Sequence, residues 1–140
     1  AETRAAHDAA ENIPFMRDLM AGTLPRETYA AVLPRVKALR DGIETRLEKA
    51  AAAGTSPEIA ASFQPYHRFA HLYDQDMAVF GVAADESRSE VLDRYFAELD
   101  RLAAEDPKVL LGAFYVLEGS NLGATIVRKR VAEVYNLTDG

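Results

Sequence analysis

The chain has 140 residues, with 16 Lys and Arg against 22 Asp and Glu, no Cys, and 49% apolar residues. That size and composition fit one globular domain over residues 1–140. The missing thiols exclude Cys-ligated zinc, iron–sulfur clusters, thiol nucleophiles and a disulfide-stapled scaffold, so a cytoplasmic location is expected. The net charge of −6 excludes a broad phosphate-binding face, and no nucleic-acid partner is expected; Arg128-Lys129-Arg130 is the one tight basic cluster.

Ala1-Glu2-Thr3-Arg4 carries no initiator Met and already lies in a helical pattern, so the natural ends are expected to be missing. Glu2 to Glu11 and Pro14 to Met20 read as short helices, closed by Gly22. After Pro25, the residues Tyr29, Val32, Leu33, Val36, Leu39, Ile43 and Leu47 trace one amphipathic stripe ending near Gly54, with a kink expected at Pro34. A long helix is expected from Pro57 to Phe80, stopped by Gly81 and disturbed in its first turns by Pro65. Ser87 and Glu90 form a capping-box pattern ahead of Val91, Leu92, Tyr95, Phe96, Leu99 and Leu102, in a helix ending near Glu105. Asp106-Pro107 opens a last helix whose apolar positions run from Val109 through Val134. The expected fold class is therefore all-α, with five or six helices. The longest apolar stretch, Val109 to Leu117, is about half the ~20 residues of a membrane span, so no membrane segment is expected.

Three features carry chemistry. In Glu118-Gly119-Ser120-Asn121-Leu122-Gly123-Ala124, two glycines lie one turn apart on one helical face. Each costs about 1 kcal/mol relative to alanine, which a close approach to that face must offset. A packed helix could make that approach, and so could a flat ligand. His7 and Glu11 stand at i, i+4, where a carboxylate can orient the imidazole; an unspecific surface pair has the same spacing. His67 and His71 share that spacing, with Asp74 and Asp76 following, but no Glu-x-x-His completes a helical di-iron set, and structural or surface roles are expected for them. The H-E-x-x-H, P-loop and G-x-S-x-G patterns are absent.

The stretch Ala5-Ala6-His7-Asp8-Ala9-Ala10-Glu11-Asn12, continuing through Pro14-Phe15-Met16-Arg17 and past Gly22 to Tyr29, resembles the proximal segment of haem oxygenases. Phe114-Tyr115-Val116-Leu117-Glu118-Gly119-Ser120-Asn121-Leu122-Gly123-Ala124 is similar to the distal helix of the bacterial members. The resemblance implies a single helical domain that holds haem between proximal and distal helices. It makes His7 the iron ligand and Glu11 the partner of its second ring nitrogen. Tyr115 would stand near a haem propionate, and Gly119 and Gly123, with Ser120 and Asn121, would line the side where dioxygen reacts. Ser120 occupies the position where animal members carry aspartate.

The implied reaction is oxidative opening of the macrocycle to a biliverdin-type tetrapyrrole with release of carbon monoxide and iron, serving iron acquisition or bilin synthesis. Haem is both substrate and cofactor, and O2 the oxidant. The implied partner is an electron donor such as a ferredoxin or flavin reductase, met by a monomer, with Arg128, Lys129 and Arg130 as its docking charge. A solvated helix end, where cations offset the C-terminal partial charge, is the other reading of that cluster. Family members continue through further helices beyond Thr138-Asp139-Gly140, which complete the pocket and supply propionate-binding cations. Two other functions fit the same residues: a haem-binding or trafficking protein without turnover, and an all-α interaction domain whose glycines merely pack helices.

Overall fold

Proline and glycine set most helix boundaries in this chain, because one removes a backbone donor and the other accepts left-handed φ without a Cβ penalty. The computed structural model describes residues 2–54, 56–83 and 89–137. Its helices are α1 (Glu2–Glu11), α2 (Pro14–Ala21), α3 (Arg26–Ala30), α4 (Leu33–Ala52), α5 (Pro57–Ser62), α6 (Leu72–Phe80), α7 (Glu90–Glu105) and α8 (Val109–Tyr135), with a single 3₁₀ turn at Pro65–His67. The described residues are thus all-α and form eight helices rather than five or six. Among them no single helix is long and apolar enough to cross a membrane.

The extra helices come from segments expected to be continuous. Pro34 does not kink a helix; it occupies the first turn of α4, and the chain breaks between Ala30 and Leu33 instead. The segment from Pro57 to Phe80 is split in three. α5 starts on Ser56, whose hydroxyl accepts the Ile59 N–H, and stops before Pro65. α6 waits until Leu72, because the N–H groups of Phe69 and Ala70 are bound by the Glu44 carboxylate at 3.0 and 3.2 Å. Ser87 lies outside the described residues; the N-cap of α7 is Ser89, whose hydroxyl accepts the Leu92 N–H. Asp106 and Pro107 form a turn ahead of α8, with Asp106 Oδ1 accepting the Lys108 N–H at 3.0 Å.

The chain divides into two compact units. One comprises the residues up to Tyr29 and those from Asn121 onward. In it Gly22 adopts φ 80°, ending α2 in the left-handed conformation, while Arg130 Nε donates to the Met20 carbonyl at 3.0 Å and so caps the same helix from α8. Tyr29 packs between the rings of Phe15 and Tyr135. The Tyr135 hydroxyl donates to the Leu24 carbonyl at 3.1 Å, and burial pushes its pKa up. Leu19, Leu24 and Val131 are buried there.

The second unit, Ala30–Ser120, holds a core of Ile43, Leu47, Ile59, Phe63, Leu99, Leu110 and Leu117. Gly42 lets α7 approach α4, since a Cβ at that position would overlap the Phe96 ring. Arg46 closes the contact. Its guanidinium lies over Phe96 at 4.3 Å and grips Asp100 with both arms, at 2.6 and 2.7 Å.

The Arg46 hydrogen bonds hold the Asp100 carboxyl below the usual carboxylate range. A group depressed on folding adds stability above its unfolded pKa and loses it as pH falls through the folded value. Asp100→Asn is therefore expected to cost about 0.5–1 kcal/mol at neutral pH, the scale of an exposed bidentate pair. The difference from wild type should begin to shrink near pH 4 and vanish only once the pH falls below the depressed folded value, in urea melts run across the acid range.

Candidate functional site

α1 places His7 and Glu11 one turn apart, with Nδ1 of the ring 3.6 Å from Glu11 Oε1 and both side chains mostly exposed. Asp8 stands beside them, and the ligand atoms of the three residues lie within 4.8 Å of one another. A carboxylate at Nδ1 favours the tautomer that leaves Nε2 free to ligate, an arrangement common among metal-bound histidines. This donor set, one imidazole with an orienting acid, suits a metal that brings its other ligands with it.

The other sequence candidates lie along α8. Tyr115 is exposed, and Ser120 donates its hydroxyl proton back to the Leu117 carbonyl at 2.6 Å. Asn121 and Gly123 follow within the same helix. A Cβ built on Gly119 or Gly123 meets no atom within 4 Å among the described residues. Gly42, by contrast, has the Phe96 ring against it, which is the contact a packing glycine makes in this protein.

The family model for Heme oxygenase matches residues 1–140. The chain belongs to the heme oxygenase family. It is also similar to "Heme oxygenase 2" of Mus musculus, 24% identical over 135 residues, covering 94% of this chain and 42% of that protein. The chain thus spans less than half the length of that relative. No solved structure matches it at the same standard of significance.

The donor set would fit haem: a porphyrin brings four iron ligands of its own, and a single imidazole beside a carboxylate would supply one more. Of the remaining histidines, one is engaged and one is exposed. His67 Nδ1 accepts the Gln64 N–H at 2.9 Å, and its ring packs against Phe63, Tyr66 and Phe114, so it caps the 3₁₀ turn. His71 is exposed, and Asp74 pairs with Lys37.

The basic cluster does not lie at a helix end, since α8 continues to Tyr135 and has no basic residue in its last turn. Arg130 holds the Met20 carbonyl and pairs with Glu133 at 3.4 Å.

One pair escaped the sequence reading. Arg40 and Glu44 are 4% and 0% exposed, and Arg40 Nη1 donates to Glu44 Oε1 at 3.2 Å while Nη2 donates to the Leu117 carbonyl at 3.4 Å. Their positions with Ile43 and Leu47 follow i, i+3, i+4, i+7, the spacing of a buried helical face, and that signal was available.

The glycine contrast is open to a thermal measurement. Gly119→Ala and Gly123→Ala should each stabilise the protein, by up to about 1 kcal/mol, through helix propensity alone. Gly42→Ala should destabilise it by about 1–3 kcal/mol through overpacking against Phe96. A lower melting temperature for the α8 variants would place a packed neighbour on that face.

Proposed function

We propose that the chain binds haem through His7 and, as one haem-oxygenase-like domain over residues 1–140, cleaves it with O2 and external electrons to a biliverdin-type tetrapyrrole, carbon monoxide and iron. The observation that carries this reading is the His7–Glu11 pair at 3.6 Å in a chain matched along its whole length by the family. Haem supplies the iron and the meso edge that is oxidised. Glu11 orients the imidazole so that Nε2 meets the iron. Tyr115 would serve a propionate, and Gly119 and Gly123 would leave room for dioxygen.

Among Gly119 to Ala124 there is no His, Arg or carboxylate. Proton delivery therefore falls to water held by Ser120 and Asn121, and the side chains act by positioning. The electron donor is a ferredoxin or flavin reductase, drawn in by Arg128 and Lys129. A monomer in the cytoplasm, supplying iron or a bilin, completes the reading.

The test is a haem titration followed by reduction under oxygen. Wild type should form a Soret band that gives way to bilin absorption, with carbon monoxide trapped by a reporter haem protein. His7→Ala should lose the axial-imidazole spectrum and most turnover, while His67→Ala and His71→Ala keep both. A Soret band that persists under reductant would leave a haem carrier rather than an enzyme. Loss of axial ligation in either of the other two variants, with His7→Ala intact, would move the ligand elsewhere.

A further inference from the structure

The second unit contains a buried ion pair that the proposed reaction does not use. Glu44 is fully enclosed, and its carboxylate accepts from Arg40 Nη1, Phe69 N and Ala70 N, with Arg68 Nε at 3.8 Å. Arg40 lies over the Phe69 ring at 5.4 Å and carries its second arm to the Leu117 carbonyl of α8. A core pair that only filled space would be replaceable by apolar residues at little cost. This one reaches across to a backbone oxygen two residues before Gly119.

That oxygen has a second client. Ser120 Oγ donates to it at 2.6 Å, so the guanidinium and the hydroxyl converge on one carbonyl. A carbonyl gripped by a charged donor is held in place, so the hydroxyl that shares it finds its acceptor at a fixed position. A serine hydroxyl has one proton and two lone pairs; with the proton committed to Leu117, Ser120 presents only acceptor capacity. We infer that Arg40 is a positioning residue for α8: through the Leu117 carbonyl it fixes the backbone at Gly119 and Ser120 and makes Ser120 a hydrogen-bond acceptor, suited to a ligand-side donor such as water. The inference rests on the haem-oxygenase reading for what that donor serves, and on geometry alone for the rest.

Arg40→Lys separates positioning from core support. Lysine keeps a cation beside Glu44, but its single ammonium lacks the planar fork that serves the carboxylate and the carbonyl together. In the ligand-free protein, amide hydrogen exchange near Ser120 should quicken about fivefold, as expected for one lost hydrogen bond, with the amides of Ile43 to Leu47 unchanged. In the haem-loaded protein, Arg40→Lys and Ser120→Ala should each shift the pH midpoint of the ferric absorbance transition, and the double variant should shift it no further than Ser120→Ala alone.

Uniformly faster exchange across the second unit would reduce Arg40 to fold support. Unchanged exchange at Ser120, or additive shifts in the double variant, would overturn the inference. If wild type binds no haem, the substrate reading falls, and the exchange comparison still decides the role of Arg40.

Discussion

The second unit depends on one electrostatic constraint: a carboxylate and a guanidinium taken out of water on the same face of α4. Isolated, either charge would cost several kcal/mol. Together they are tolerable only because every remaining polar direction has a partner. Glu44 takes the two N–H groups of Phe69 and Ala70, and Arg40 takes the Leu117 carbonyl. No buried side-chain polar atom among the described residues lacks a partner. The pair therefore ties α4, the segment before α6 and α8 to one another in a single register. An apolar core made of Ile43, Leu47, Ile59, Phe63 and Leu117 supplies the area, but apolar contacts tolerate sliding. Hydrogen bonds to named backbone atoms do not.

The same pair explains where the chain departs from its sequence pattern. Periodicity and end signals located α1, α2, the body of α4, the end of α6, α7 and α8, because prolines at first turns and glycines at φ 80° or 69° act locally. The division of Pro57 to Phe80 into α5, a 3₁₀ turn and α6 was half visible in Pro65. The rest depends on Glu44, 25 residues away from Phe69, capturing donors that a continuous helix would have used. No local window contains that information. The break before Pro34 is a milder case: proline suits the first turn of a new helix at least as well as a kinked interior, and tertiary packing chose between them.

Legibility of the candidate site followed the same division. His7 and Glu11 are neighbours on one short helix, so spacing alone brought them together. The resemblance of the segments around His7 and around Gly119 to haem oxygenases was readable because short motifs survive at low overall identity. Arg130 shows the converse. Its neighbours in sequence mark it as part of a basic patch, whereas its guanidinium is bound to a carbonyl 110 positions earlier. Arg40 and Glu44 were hidden by an assumption, that charged residues lie on the wet side of an amphipathic helix. Their spacing with Ile43 and Leu47 contradicted it.

These placements bear on how the chain would handle a reactive substrate. Between Gly119 and Ala124 the polar side chains are Ser120 and Asn121, neither of which titrates near neutral pH. Such groups cannot act as acid or base themselves; they can only fix where a proton donor stands. Arg40 pairs with Glu44 and reaches α8 at the Leu117 carbonyl, so there it adds orientation without adding a free cation. Catalysis of this kind works by holding geometry, which costs rigidity elsewhere in the fold. A buried ion pair with fully committed hydrogen bonds is a suitable source of that rigidity, since its low-energy arrangement is narrow. Substitutions in α4 that leave the core volume intact therefore act on α8 through the Leu117 carbonyl, and hydrophobic packing alone would not predict that coupling.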